Sequence, residues 1–212
     1  MRISIQATAT LIALWGLAVG SGFCWLADYS SEPGTHGVIP QQLPHTINAI
    51  ESPPGPPRAR LLVFLHPQCP CSVATVRELA RLAPVVRTRA DIQVLFAHPD
   101  DADSGDSPTS LRQQAAAIPG VSIADDPDGQ LASACGVQTS GHALLYDANG
   151  VLLFSGGLTA GRGHEGGTPS QSALTAQLSS PDPPAFVEYC AFGCPLRTDT
   201  TSNNGNAIVA RP

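Results

Sequence analysis

Charge is scarce in this chain. Only 13% of its 212 residues are charged, and the formal balance is −6. Proteins that bind nucleic acid neutralise phosphates with clustered basic side chains, and no such patch exists here, which excludes that class of partner. No internal repeat is present. No second cysteine-rich knuckle accompanies the pair at Cys69 and Cys71 inside the central region, so the four ligands of a closed zinc site are missing.

The longest absence is at the beginning. From Ile3 to Ala27 there is no charged residue. A helix needs roughly 20 apolar residues to span a bilayer, and this run suffices. Arg2 precedes it, and Asp28 and Glu32 follow it. The positive-inside tendency places the N-terminus in the cytoplasm and the remainder outside, in the periplasm if the host is a bacterium. A retained signal anchor is the first reading. A cleaved signal peptide, using the small residues at 19–22, and a lipid-modified Cys24 are the others. Six cysteines, an even number, are compatible with disulfides in such a compartment, although spacing does not give their connectivity.

Residues 1–28 thus form a membrane anchor or signal segment. Residues 29–57 hold seven prolines, from Pro33 to Pro57, and read as an extended linker. A folded domain is expected over 58–180. Residues 61–65 and 92–97 are continuous apolar runs, as in strands buried on both faces. Between them Val73, Val76, Leu79 and Ala83 recur at helical spacing, with Ser72 as a cap and Arg77, Glu78 and Arg81 on the surface. Ser107-Pro108 opens another helix, and residues 121–126 form a short strand. Asp128 starts a small helix that ends at Cys135. Residues 142–147 and 151–156 make a hairpin around Asn149-Gly150, and Thr168-Pro169 opens a last helix. Residues 181–212 are expected to lack order, apart from the cluster FVEYCAFGCPL. Alternating helices and buried strands predict an α/β fold with a sheet covered on both sides.

The chemistry centres on LHPQCPCSVA. A cysteine at a helix start meets unpaired backbone N–H groups and the positive end of the helix dipole, and both favour the thiolate. Cys69 is therefore the candidate nucleophile, on a loop expected to leave it accessible. His66 adds positive charge when protonated. Cys71 is the expected resolving thiol, the second catalytic cysteine; a bond between residues two apart closes a small, strained and oxidising ring. Ser72 donates a hydrogen bond to a thiolate. Alternatively, two thiolates suit a soft ion such as Cu(I), with His66, His142 or His164 supplying a nitrogen. Cys135 reads as core packing. Cys190 and Cys194 read first as a local staple, and second as a source of a distant resolving thiol. Arg162, His164 and Glu165 lie in a Gly-rich loop and read as solvated.

Over residues 58–180 the chain resembles the thioredoxin-like superfamily, in its redoxin branch. LLVFLHPQCPCSVATVRELARLAP looks like that family's strand, active-site loop and first helix. DPDGQLASACGVQTSGHALLYDANGVLLFSGG looks like its helix, turn and closing hairpin. The resemblance implies a central mixed β-sheet flanked by helices and thiol–disulfide exchange with protein thiols or disulfides, with no cofactor. It puts Cys69 on the nucleophilic position and Ser72 on the usual resolving position, with Cys71 an additional thiol. Gly141, just before His142, stands where the family places a cis-proline that helps bind extended substrate backbone. Two related activities are weaker fits. Copper-delivering relatives use cysteines three residues apart and a later histidine; here the set is Cys69, Cys71 and His164. Peroxiredoxin-type peroxidases need a Pro-x-x-x-Thr-x-x-Cys approach, which is absent.

Overall fold

The computed structural model describes residues 5–48, 56–98, 110–180 and 185–197. The uncharged N-terminal run forms α1 (Ile5–Ser31), a helix with no buried residue, long and apolar enough to cross a membrane. A short α2 (His45–Asn48) precedes β1 (Ala59–Leu65). There follow α3 (Pro70–Val86), β2 (Ala90–His98), α4 (Ser110–Ala116), β3 (Val121–Pro127), α5 (Gln130–Ala134), β4 (His142–Tyr146), β5 (Leu152–Gly157), α6 (Pro169–Ser179) and β6 (Val187–Glu188). Ser107-Pro108 lies outside the described residues.

The strands form one mixed sheet in the order β3-β2-β1-β4-β5-β6. β1 runs parallel to β2, which α3 makes possible by crossing over, and antiparallel to β4. Side chains of β1 alternate between two cores. Leu61, Val63 and Leu65 pack with Val76, Leu79, Leu111, Leu174 and Leu178, on the side covered by α3, α4 and α6. Leu62 and Phe64 face Leu95, Leu144, Tyr146 and Cys135 on the other side. The expected hairpin forms: the Asp147 carboxylate accepts from the N–H groups of Asn149 and Val151, at 2.8 and 2.7 Å, and Gly150 takes a φ of +79°.

Five expectations need correction. Residues 36–47 are not a free linker. Ile39, Leu43 and Ile47 are buried in the second core, and His36 and Gln42 bridge to Val137 and Val151. The prolines leave apolar residues between them, and the face formed by Leu62, Phe64 and Tyr146 needs cover. The domain does not stop at 180 either, because β6 adds to the sheet edge and Ala191 and Leu196 are buried. The N-cap of α3 is Cys69 rather than Ser72; Pro70 takes the first helical position, where its missing N–H costs nothing. For α5 the capping acid is Asp126, not Asp128: its carboxylate accepts from Leu131 N (2.7 Å) and Ala132 N (3.0 Å). Finally, Glu78 is not on the surface. It is 2% exposed, and it accepts from Gly166 N at 2.6 Å, from Gln171 Nε2 at 3.0 Å and from Arg81.

Candidate active site

Cys69 ends the loop that leaves the C-terminus of β1. Its N–H donates to His66 O (3.1 Å), and its own carbonyl accepts from Ser72 N (3.0 Å), so the turn into α3 is closed on both sides. A small hydroxyl network locks this loop to the one before β4. His66 N donates to Ser140 Oγ (2.9 Å), Ser140 Oγ donates to Ser72 Oγ (2.8 Å), and Ser72 Oγ donates to His66 O at 3.1 Å.

The thiol arriving opposite Cys69 comes from the C-terminal tail. Cys194 Sγ lies 2.7 Å from Cys69 Sγ. Cys69, Cys71 and Cys194 hold their sulfur atoms within 4.8 Å of one another. The tail is set down by backbone pairing. Ser140 N donates to Cys194 O and Leu196 N to Gln138 O, each at 2.8 Å, with Thr139 and Pro195 facing each other as an antiparallel bridge. Upstream, Tyr189 N donates to Ser155 O, Gly157 N to Cys190 O and Gly34 N to Ala191 O. Arg162 donates through its guanidinium to the Gly193 carbonyl; the guanidinium sits 4.9 Å from the centre of the Tyr29 ring, and the Arg162 backbone N–H donates to Ser30 O. The staple favoured between Cys190 and Cys194 is therefore not formed: both thiols are free, and Cys194 faces Cys69 instead. Arg162, expected in solvent, is half-buried beneath the tail.

The three sulfurs differ in acidity. Burial opposes ionisation of Cys69. Hydrogen bonds from the Cys194 thiol and backbone and from the Cys71 N–H, with a smaller contribution from the nearby Ser72 hydroxyl, outweigh that cost and leave the thiol below its ordinary value. Burial and the neighbouring Cys69 thiolate push Cys71 up. The same two causes push Cys194 up to about 12, against a lowering influence of Arg162. Of the three, Cys69 is thus the thiol that ionises most readily, and the Cys194 thiol that lies against it holds its proton most firmly. Contrary to expectation Cys69 is not accessible: it is 4% exposed, with the tail lying against it.

The other expected residues take different places. Burial lowers the pKa of His66, which opposes the positive charge expected of it, and its Nδ1 accepts from Gln68 N at 3.2 Å. His142 is buried on β4, with Nε2 2.8 Å from Ser155 Oγ. His164 turns its Nδ1 toward Arg162 O at 3.1 Å, and among the described residues no histidine joins the three sulfurs. Gly141 adopts a φ of +90°, and its N–H donates to Phe64 O at 2.7 Å, a bond no proline could make. Cys135 is fully buried in the second core, where burial raises its pKa to about 12. The sequence signals for Cys194 are the apolar residues around it and the glycine before it.

No family model and no curated protein matches the sequence. Solved structures do. An uncharacterised conserved protein from Geobacillus kaustophilus aligns at a TM-score of 0.55 and 12% identity, over 81% of this chain and 95% of its own. A hypothetical protein from Sinorhizobium meliloti 1021 gives 0.55 and 16%, over 80% and 96%. A secreted disulfide oxidoreductase from Mycobacterium tuberculosis gives 0.39 and 16%, over 57% and 79%.

Proposed function

We propose that this chain, whose mixed six-stranded sheet has the form expected of the thioredoxin-like resemblance, is a thiol–disulfide oxidoreductase with Cys69 as its nucleophile. One observation carries the reading: a lowered thiol at the start of α3 has a second thiol within 2.7 Å of its sulfur. A thiolate there attacks one sulfur of a substrate disulfide, and a neighbouring thiol then displaces the substrate. No cofactor is needed, because the electron pair passes between sulfurs. The length and composition of α1 support a membrane anchor, and Arg2 ahead of it supports a domain held outside the cytoplasm. The partners are then protein thiols and disulfides of that compartment. The full chain, reduced and in detergent, is expected to reduce a protein disulfide, and Cys69→Ser to abolish this. Undiminished exchange by the variant overturns the assignment.

A second reading has its own support in the three clustered sulfurs. Three thiolates suit Cu(I), and Cys194 would take the place given to His164. A copper carrier would bind one Cu(I) per reduced chain against a competing chelator and lose it in Cys71→Ser.

A further inference from the structure

We propose that residues 192–196 occupy the place of an extended polypeptide substrate, and that Cys194 resolves the Cys69 mixed disulfide as this segment returns. The proposal rests on the oxidoreductase reading above and adds to it a substrate class and the identity of the resolving thiol.

The tail is held at 138–140 mostly by backbone. Ser140 N and Gln138 O are the groups that pair with it, through Cys194 O and Leu196 N. Any extended chain offers the same carbonyl and N–H pattern, the basis of recognition by strand addition. In this pairing the cysteine of the bound strand points at Cys69, and Cys194 Sγ stands 2.7 Å from the nucleophile. With Cys69 4% exposed, a bulky disulfide cannot reach it while the tail is in place. Substrate and tail therefore compete for one edge.

The strand position before the cysteine is also constrained. A Cβ on Gly193 would lie 2.0 Å from Ser140 O. A substrate following the same path needs glycine ahead of its cysteine.

The chemistry balances within one turnover. Cys69 thiolate attacks the peptide sulfur of a disulfide, forming the Cys69–peptide bond and expelling the other half as a thiolate, which takes up a proton. The tail re-pairs at 138–140. Cys194 gives its proton to solvent and attacks Cys69 Sγ, forming Cys69–Cys194 and releasing the peptide thiolate, which is protonated. The two electrons that reduce the substrate come from the enzyme dithiol. Once Cys69 is in a mixed disulfide its negative charge is gone. Cys194 then loses the neighbour that held its proton and keeps the favourable Arg162. Cys71, only two positions from Cys69, would have to close a small strained ring to do the same work.

The test uses the reduced full chain and a peptide of sequence AFGCPL carrying a chromogenic aromatic thiol in disulfide linkage. Wild type should release the chromophore, then free peptide, and end as Cys69–Cys194 by peptide mapping. Cys194→Ala should stop at the Cys69–peptide adduct, while Cys71→Ser should proceed to free peptide. A Cys71→Ser enzyme that stalls, or a Cys194→Ala enzyme that resolves at the wild-type rate, overturns the proposal. On wild type alone, valine in place of the peptide glycine should slow adduct formation about tenfold or more, as expected for a clash in the transition state; equal rates overturn the shared edge. Chromophore release that persists unchanged in Cys69→Ser is a different result and removes the oxidoreductase reading itself.

Discussion

Gly193 packs against the backbone of Ser140 so closely that a β-carbon on it would stand 2.0 Å from the Ser140 oxygen. The atom it would meet is main chain, in the loop that precedes β4, and cannot swing aside. The tail and the thiol loop are therefore fitted to each other at a position where only glycine is accommodated.

Gly193→Ala should lift the tail without touching any sulfur. If it removes about 1.4 kcal/mol from the closed state, the open population rises about tenfold, and alkylation of reduced Cys69 accelerates by the same factor. Timed iodoacetamide labelling followed by peptide mapping reads this directly. An unchanged rate would mean that the tail does not cover Cys69.

The acidity of Cys69 should depend on its partner in the tail. In wild type the thiolate appears below the ordinary cysteine range, about 8.5. Cys194→Ala removes a thiol donor, so the profile of alkylation rate against pH should move to higher pH. Ser72→Ala should move it the same way and by less. A profile that stays in place in Cys194→Ala would show that the helix start alone sets the acidity.

His142 should make the fold acid-sensitive. Burial, with a smaller contribution from His36, pushes its pKa down to about 3. The His36 ring meets it edge-on at 5.8 Å, and Glu188 lies 3.6 Å from His36. The unfolded chain takes up a proton near 6.5, and the folded one does not until about 3. Stability is therefore complete above 6.5 and falls on acidification by about 1.4 kcal/mol per pH unit over that interval, from this residue alone. Denaturant melts of His142→Asn should show a correspondingly shallower slope between these limits.

Glu78 joins α3 to the loop that enters α6. Glu78→Ala would leave Gly166 N without its acceptor and remove a partner of Gln171. A loss of about 2–4 kcal/mol is expected for a broken buried network, with Glu78→Gln milder. A thermal melt distinguishes them.

The parts of the fold legible in the sequence were those set by local pattern. The apolar runs became β1 and β2, Asn149-Gly150 turned the hairpin, and Thr168 caps α6 through Gln171 N. The parts that were not legible depend on partners far along the chain. Glu78 reads as one more polar residue until Gly166 and Gln171 fold beside it, 88 and 93 positions away. Cys69 and Ser72 are both plausible caps, and Pro70 is the residue that decides between them. At the site, the thiol pair inside LHPQCPCSVA was visible at once. Cys194 was legible only as a second choice, a distant thiol behind a local staple, because a contact 125 positions apart is placed by strand pairing that no spacing rule describes.

Arg162 ties three segments that are remote in sequence. It stacks on Tyr29 near the end of α1, bonds Ser30 O through its backbone N–H, and donates to Gly193 O beside the three clustered sulfurs. The end of the apolar helix is thus pinned next to the mouth of the site rather than connected to it by a slack leash. With α1 embedded in a bilayer, the mouth would be held close to the lipid headgroups at a fixed height. Encounters would then become a search in two dimensions, favouring partners that are themselves confined to the same surface.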